Sequence, residues 1–158
     1  MEMNKKAKMS IDILDEEKGR KGFVGERLFK VYKWEILENL EGFRNLISTT
    51  DFFERPLRDI SSELGIGQGI FREDVEFLED VRGYGPPSFD YVGVREFEGE
   101  KQKVLLDVKT VTDVKSGVVL SPNQKKLIKP AKERGYEIYI VKMILSRNWK
   151  VDVEVCSI

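Results

Sequence analysis

The stretch of this sequence best suited to chemistry is Leu106-Asp107-Val108-Lys109. Residues two apart on a β-strand project from the same face. On a strand, Asp107 and Lys109 therefore stand side by side, while Leu106 and Val108 turn to the opposite, core-facing side. Placing charge on a strand this apolar costs free energy unless the charge is paired or binds something. Upstream lies Asp90, within Ser88-Phe89-Asp90-Tyr91-Val92-Gly93-Val94, at the start of a preceding strand. Antiparallel neighbours joined by a hairpin lie about 4.8 Å apart, so a suitable register brings the two carboxylates together. Two carboxylates in one place repel, and a divalent cation relieves the repulsion. Ligand sets made only of oxygen favour a hard ion, so Mg2+ or Mn2+ is the expected cofactor.

Composition removes most rival chemistries. The 158 residues include no His and a single Cys, Cys156. Histidine-based metal sites, zinc fingers and Ser-His or Cys-His catalysis are excluded. The lone Cys rules out an internal disulfide and suits a reducing compartment, so a cytoplasmic location is expected. Catalysis is left to carboxylates, Lys, Arg, Tyr or Ser. The N-terminal MEMNKKAKMS has no apolar stretch behind it and does not read as a signal peptide. No run approaches the roughly 18 apolar residues of a membrane span. The abundance of Lys and Glu hints at a thermophile.

The totals of 27 basic and 28 acidic residues nearly cancel. Any case for nucleic acid must then rest on how charge is distributed. Between positions 115 and 134 stand Lys115, Lys125, Lys126, Lys129, Lys132 and Arg134, against Glu133 alone. Such a segment suits phosphate contacts, which give salt-sensitive affinity. Lys115, Lys125, Lys126, Lys129 and Lys132 are the expected nucleic-acid-binding residues.

The elements that must position these groups follow from periodicity. Residues 1–158 read as one domain. Residues 1–10 read as a mobile polar tail. Val24, Leu28, Val31, Tyr32, Ile36, Leu37 and Leu40 recur at helical steps, which predicts a helix within 11–42, stopped at Gly42. Residues 44–86 read as a helical insert. Strands are predicted at Phe89 to Arg95 and Val104 to Val108, joined by a Glu98-Gly99 turn. Ser121-Pro122 opens a helix that Pro130 should kink or end. Tyr136 to Ile144 is a third strand, and Lys150 to Val155 alternates as an edge strand. Trp34, Tyr91 and Trp149 are assigned to the core, and Cys156 reads as a small apolar filler. The expected class is an α/β sandwich around a small mixed sheet.

Asp90 and Asp107-x-Lys109, with Glu26 on an earlier helix and Gln124 on a later one, resemble the PD-(D/E)-x-K nucleases. This superfamily includes restriction endonucleases and archaeal Holliday-junction resolvases. Gly22-Phe23-Val24-Gly25-Glu26 is similar to the glycine-plus-glutamate helix start of many members. The resemblance covers roughly residues 20–42 and 87–145. It departs from the pattern where Phe89, not Pro, precedes Asp90, and where Ile128 replaces an aromatic one turn after Gln124. It implies a restriction-endonuclease-like three-layer sandwich, with a central mixed sheet of about four to five strands flanked by helices. It also implies a Mg2+-dependent phosphodiesterase that cleaves DNA. Asp90 and Asp107 would hold the metal, with the Val108 carbonyl and Glu26 as further ligands. Lys109 would orient the attacking water or neutralise the transition state. Gln124 would position Lys109 or contact the nucleic-acid backbone. Cutting both strands calls for two active sites, so a homodimer is expected.

Two other readings compete. The same fold could serve as a binding module with little catalysis. Leu57 to Leu78 also resembles a helix-turn-helix, which would make the chain a DNA-binding regulator using 57–80. Its second helix, however, carries Glu73, Asp74, Glu76, Glu79 and Asp80 where a DNA reader needs basic and amide groups. Gln124 has a second reading as well. Ser121-x-x-Gln124 is a capping box, in which Gln returns a hydrogen bond to the helix N-cap.

Overall fold

The computed structural model describes residues 3–12, 25–40, 42–49, 52, 71–83, 87–111, 117–145 and 150–158. Its elements run β1 (Asn4–Asp12), α1 (Gly25–Glu38), β2 (Phe43–Ser48), α2 (Val75–Arg82), β3 (Tyr91–Phe97), β4 (Glu100–Val111), α3 (Pro122–Glu133), β5 (Tyr136–Leu145) and β6 (Lys150–Ser157). A single 3-10 turn, Arg72–Asp74, leads into α2. The chain is α/β, with a mixed six-stranded sheet in the order β1-β6-β5-β4-β3-β2. The pairs β1–β6, β5–β6, β3–β4 and β2–β3 are antiparallel. From β4 the chain reaches β5 through α3, the kind of helical crossover that parallel neighbours require.

Two compact units can be distinguished. One comprises β1, α1, the end of β4, most of β5, and β6. The other comprises β2, α2, β3, most of β4, α3 and the start of β5.

In the first unit, strand alternation buries Val151, Val153 and Val155 completely. Asp152 and Glu154, on the other face, stay partly exposed. β6 is not the edge strand that its alternation suggested. Residues 4–10, within the stretch 1–10 expected as a mobile tail, belong to β1, which pairs with β6 from Asn4↔Ser157 to Asp12↔Lys150. The pairing sets the Ser10 hydroxyl to donate to Asp152 at 2.5 Å and Lys5 3.2 Å from Glu154. Short-range polarity gave the tail reading, and a long-range partner overrode it. The predicted 11–42 helix is shorter than expected. Ile11 and Asp12 belong to β1, helix α1 begins at Gly25, and 13–24 lie outside the described residues. α1 buries Phe29, Tyr32, Ile36 and Leu37, but Val31 is 48% and Trp34 53% exposed, so neither serves the core. Cys156 is buried as expected. Burial, followed by the neighbouring Glu154 carboxylate, pushes its thiol pKa up.

In the second unit, the Glu98-Gly99 turn forms as predicted, with φ of 53° and 82°. Positive φ at both central residues is the mark of the two-residue turn whose twist matches the flanking strands. It fixes the β3–β4 register from Phe97↔Glu100 to Tyr91↔Leu106. Part of the expected 44–86 helical insert is strand instead. β2 pairs with β3 from Phe43↔Arg95 to Ser48↔Tyr91. Residues 53–70, with the first helix of the helix-turn-helix reading, lie outside the described residues. Gly42 does not stop α1 directly but follows it by four residues. Its φ is 86°, and a Cβ there would overlap the Glu96 carbonyl oxygen. Its own carbonyl accepts the Glu96 N–H at 2.7 Å. Pro130 does not end α3, which continues through Glu133. The amide hydrogen bond that proline removes falls near the helix end, where one fewer bond is tolerated.

One buried ionic cluster in this unit was not foreseen. Asp74, 4% exposed, accepts hydrogen bonds from Lys103 Nζ at 2.6 Å and Tyr136 Oη at 2.9 Å. Arg134 Nη1 stands 3.6 Å from its other oxygen. Lys103 Nζ also lies 4.7 Å from the centre of the Tyr136 ring. These contacts tie the start of α2 to β4 and β5. Burial first, and the Asp74 charge second, raise the Tyr136 phenol far above its ordinary pKa of 10.0. Because the folded-state pKa is raised, this contribution to stability is complete below pH 10.0 and is lost as pH climbs beyond it.

Two outcomes follow. Gly42→Ala should lower unfolding free energy in urea by at least about 1–3 kcal/mol, since strain and overlap act together. In alkaline buffers, the wild type should lose stability above about pH 10 more steeply than Tyr136→Phe does. Parallel slopes for the two proteins would show that the phenol is not held as described.

Candidate functional site

β4 is buried on both faces in its centre, from Val104 to Asp107. The sequence led us to expect one buried face and one polar face. Asp107 is instead 4% exposed. Helix α3, which follows β4, supplies the cover. Gln124, itself 3% exposed, donates from Nε2 to Asp107 Oδ2 at 2.6 Å. The same Nε2 donates to the Ser88 carbonyl, also at 2.6 Å. Gln124 Oε1 accepts the Ser121 N–H at 2.9 Å, and the Gln124 N–H donates to Ser121 Oγ at 3.1 Å. The capping-box reading of Gln124 is therefore correct, and the same side chain also reaches Asp107. Capping fixes the side-chain amide, and the fixed amide presents its two hydrogens to Asp107 and Ser88. What the structure does not supply is a described contact between Gln124 and Lys109.

Asp90 immediately precedes β3. The β3–β4 pairing ends at Tyr91↔Leu106. One more step in that register would set Asp90 opposite Asp107. Directly opposed residues in an antiparallel pair have Cβ atoms about 4.5–5.5 Å apart. The register, unknown in the sequence reading, is fixed as far as Tyr91↔Leu106. The chain before Asp90 is held closely. The Ser88 N–H donates to the Val81 carbonyl at 2.8 Å, and the Phe89 side chain is fully buried. Thr49 donates from Oγ1 to the Phe89 carbonyl at 2.5 Å and from its N–H to the Asp90 carbonyl at 2.8 Å.

The other nominated residues fall in different places. Lys109 lies two positions beyond Asp107 on β4 and is partly exposed, as is Val108. Strand alternation gives Lys109 the same face as Asp107. Glu26 is in the first turn of α1, but its side chain lies outside the described residues, and so does Lys115. Lys125, Lys126, Lys129 and Lys132 are all exposed along α3. Helix α2 buries Phe77, Leu78 and Val81 and exposes Glu76, Glu79 and Asp80. An exposed acidic face repels phosphate, which argues against α2 as a DNA-reading helix.

Sequence reasoning missed Thr49 and the Ser88 carbonyl. The backbone carbonyl has no sequence signature. Thr49 carried one weak signal, a hydroxyl immediately after an apolar strand end, which must find a partner if buried.

The donor set suits a hard cation in its chemistry. Asp90 and Asp107 offer carboxylate oxygens only, with the Val108 carbonyl next along the chain. Mg2+ is commonly held by one or two carboxylates while keeping several waters. Among the described residues, no group of three or more acidic, Cys or His side chains converges. No helix among them is long and apolar enough to cross a membrane. No family model, curated protein or solved structure matches the chain.

The double role of Gln124 sets an expected order of stabilities. Ser121→Ala removes one half of the capping box and should cost about 1 kcal/mol. Gln124→Ala also leaves a buried carboxylate and a buried carbonyl short of a donor, and should cost about 2–3 kcal/mol more. Equal losses in chemical denaturation would mean that Gln124 serves the helix cap alone.

Proposed function

We propose that this chain is a Mg2+-dependent phosphodiesterase that cleaves nucleic acid, with DNA as the expected substrate. One observation carries the reading: a carboxylate buried on β4, Asp107, with Asp90 immediately before the facing strand and one residue beyond the Tyr91↔Leu106 pair. The Gln124 amide donates to Asp107 and fixes the orientation of its carboxylate. The element order also supports the resemblance to the PD-(D/E)-x-K nucleases. A hairpin carries the two acids, a crossover helix carries Gln124, and a further strand follows, with α1 and Glu26 earlier in the chain. On this reading, the finer fold is restriction-endonuclease-like.

Each residue then has a definite task. Asp90 and Asp107 would hold the ion. When bound, Mg2+ acidifies a water ligand and offsets charge on the phosphate. Lys109 brings an ammonium to the same strand face as Asp107, where it neutralises charge that develops on the phosphoryl oxygens. Gln124 holds the Asp107 carboxylate in one orientation. Lys125, Lys126, Lys129 and Lys132 provide phosphate contacts that carry no sequence information, so binding weakens steeply with salt. A second copy of the chain would supply the second active site needed to cut a duplex.

The test is a panel of labelled single-stranded, duplex and branched nucleic acids, incubated with Mg2+, Mn2+ or chelator. Cleavage should require the metal and should fall by at least about 100-fold in Asp107→Asn and in Lys109→Ala. Lys125→Ala combined with Lys129→Ala should instead flatten the salt dependence of binding, by about two counterions. Metal-independent binding without cleavage of any substrate would favour the binding-module reading.

A further inference from the structure

We propose that Thr49 is a positioning residue for the candidate metal centre, clamping the Ser88–Asp90 backbone and so fixing where the Asp90 carboxylate stands opposite Asp107. The proposal rests on the metal-site reading above. Its own basis is an arrangement of hydrogen bonds that the strand ladder does not require.

Three successive carbonyls lead into β3, and each accepts a donor from a different direction. Ser88 accepts from the Gln124 side chain at 2.6 Å, Phe89 from Thr49 Oγ1 at 2.5 Å, and Asp90 from the Thr49 N–H at 2.8 Å. Only the last of these continues the β2–β3 pairing. The other two come from side chains that are themselves buried, Gln124 at 3% and Thr49 at 0%. Phe89, fully buried, anchors the segment between them. The result is an acid whose side chain leaves a backbone that cannot slide along the strand axis or rotate about it.

Such rigidity has a specific use. Mg2+ demands near-ideal octahedral geometry at about 2.0–2.1 Å, so small shifts of a ligand weaken it disproportionately. Gln124 touches Asp107 directly, and through Ser88 it also touches the chain that carries Asp90. Thr49 completes the arrangement from the end of β2. The two acids are thus referenced to a common frame. Residues that orient metal ligands without touching the metal typically change affinity by about 10–100-fold when replaced.

Thr49→Val keeps the shape and the backbone N–H but removes the hydroxyl, and Thr49→Ser restores it. Calorimetric titration of the full chain with Mn2+ alone, without nucleic acid, separates the possibilities. Thr49→Val should bind Mn2+ about tenfold more weakly than wild type, Thr49→Ser should bind nearly as well, and Asp107→Asn should not bind. Wild-type affinity in Thr49→Val would overturn the clamp while leaving the metal site standing. No Mn2+ binding by wild type, or undiminished binding by Asp107→Asn, would overturn the metal-site reading itself. A second measurement needs no variant. In wild type, the Thr49 amide resonance should shift and its hydrogen exchange should slow on saturation with Mg2+. A Thr49 amide left unmoved by Mg2+ that does shift Asp107 would also overturn the clamp.

Discussion

A carboxylate enclosed by protein needs donors brought to it, and at Asp107 the Gln124 side-chain amide is one of them. That amide is not free to look elsewhere. Its oxygen is committed to the N-cap of α3, and one of its two hydrogens is committed to the Ser88 carbonyl. The remaining hydrogen has one direction left, toward Asp107. Helix start, strand centre and the entry to β3 are therefore joined through four atoms of Gln124. Much else follows from this junction. α3 must begin where it does, β4 must present Asp107 toward it, and Ser88 must precede β3 at a fixed height.

The second buried acid provides an informative contrast. Asp74 is enclosed to the same degree as Asp107 but receives a lysine, an arginine and a phenol. Charge matching of that kind holds elements together, and it leaves little capacity for anything else. Asp107 receives the Gln124 amide, whose capped position fixes how the carboxylate is turned.

Much of this could be read from the sequence where local rules dominate. Alternation at Val151, Val153 and Val155, the turn at Glu98-Gly99 and the cap at Ser121 each depend on a few neighbouring residues, and each formed as expected. The readings that failed depended on partners remote in the chain. Nothing within residues 4–10 announces that they will pair with β6, and their lysines suggest solvent. Those lysines still have a place in the strand, because charged side chains on an exposed edge discourage pairing with other chains. Of the candidate site, Asp90, Asp107 and Gln124 could be nominated from sequence because their types and order are distinctive. Thr49 was not, because its role is set by which carbonyls lie above it, and a sequence does not display them. The burial of Asp107 was also missed, since alternation identifies two faces but does not say that both will be covered.

The tight turn between β3 and β4 has a consequence for how such a chain can change over generations. Its two central residues leave no slack, so the opposition of Asp90 and Asp107 is counted outward from Glu98 and Gly99. Losing or gaining a single residue in either arm moves one acid to the wrong side of the sheet. Length can vary there only in matched steps, one residue in each arm, or by relocating the turn as a whole. Descendants that retain the pair are thus confined to hairpins of symmetric growth, however far the rest of the chain drifts.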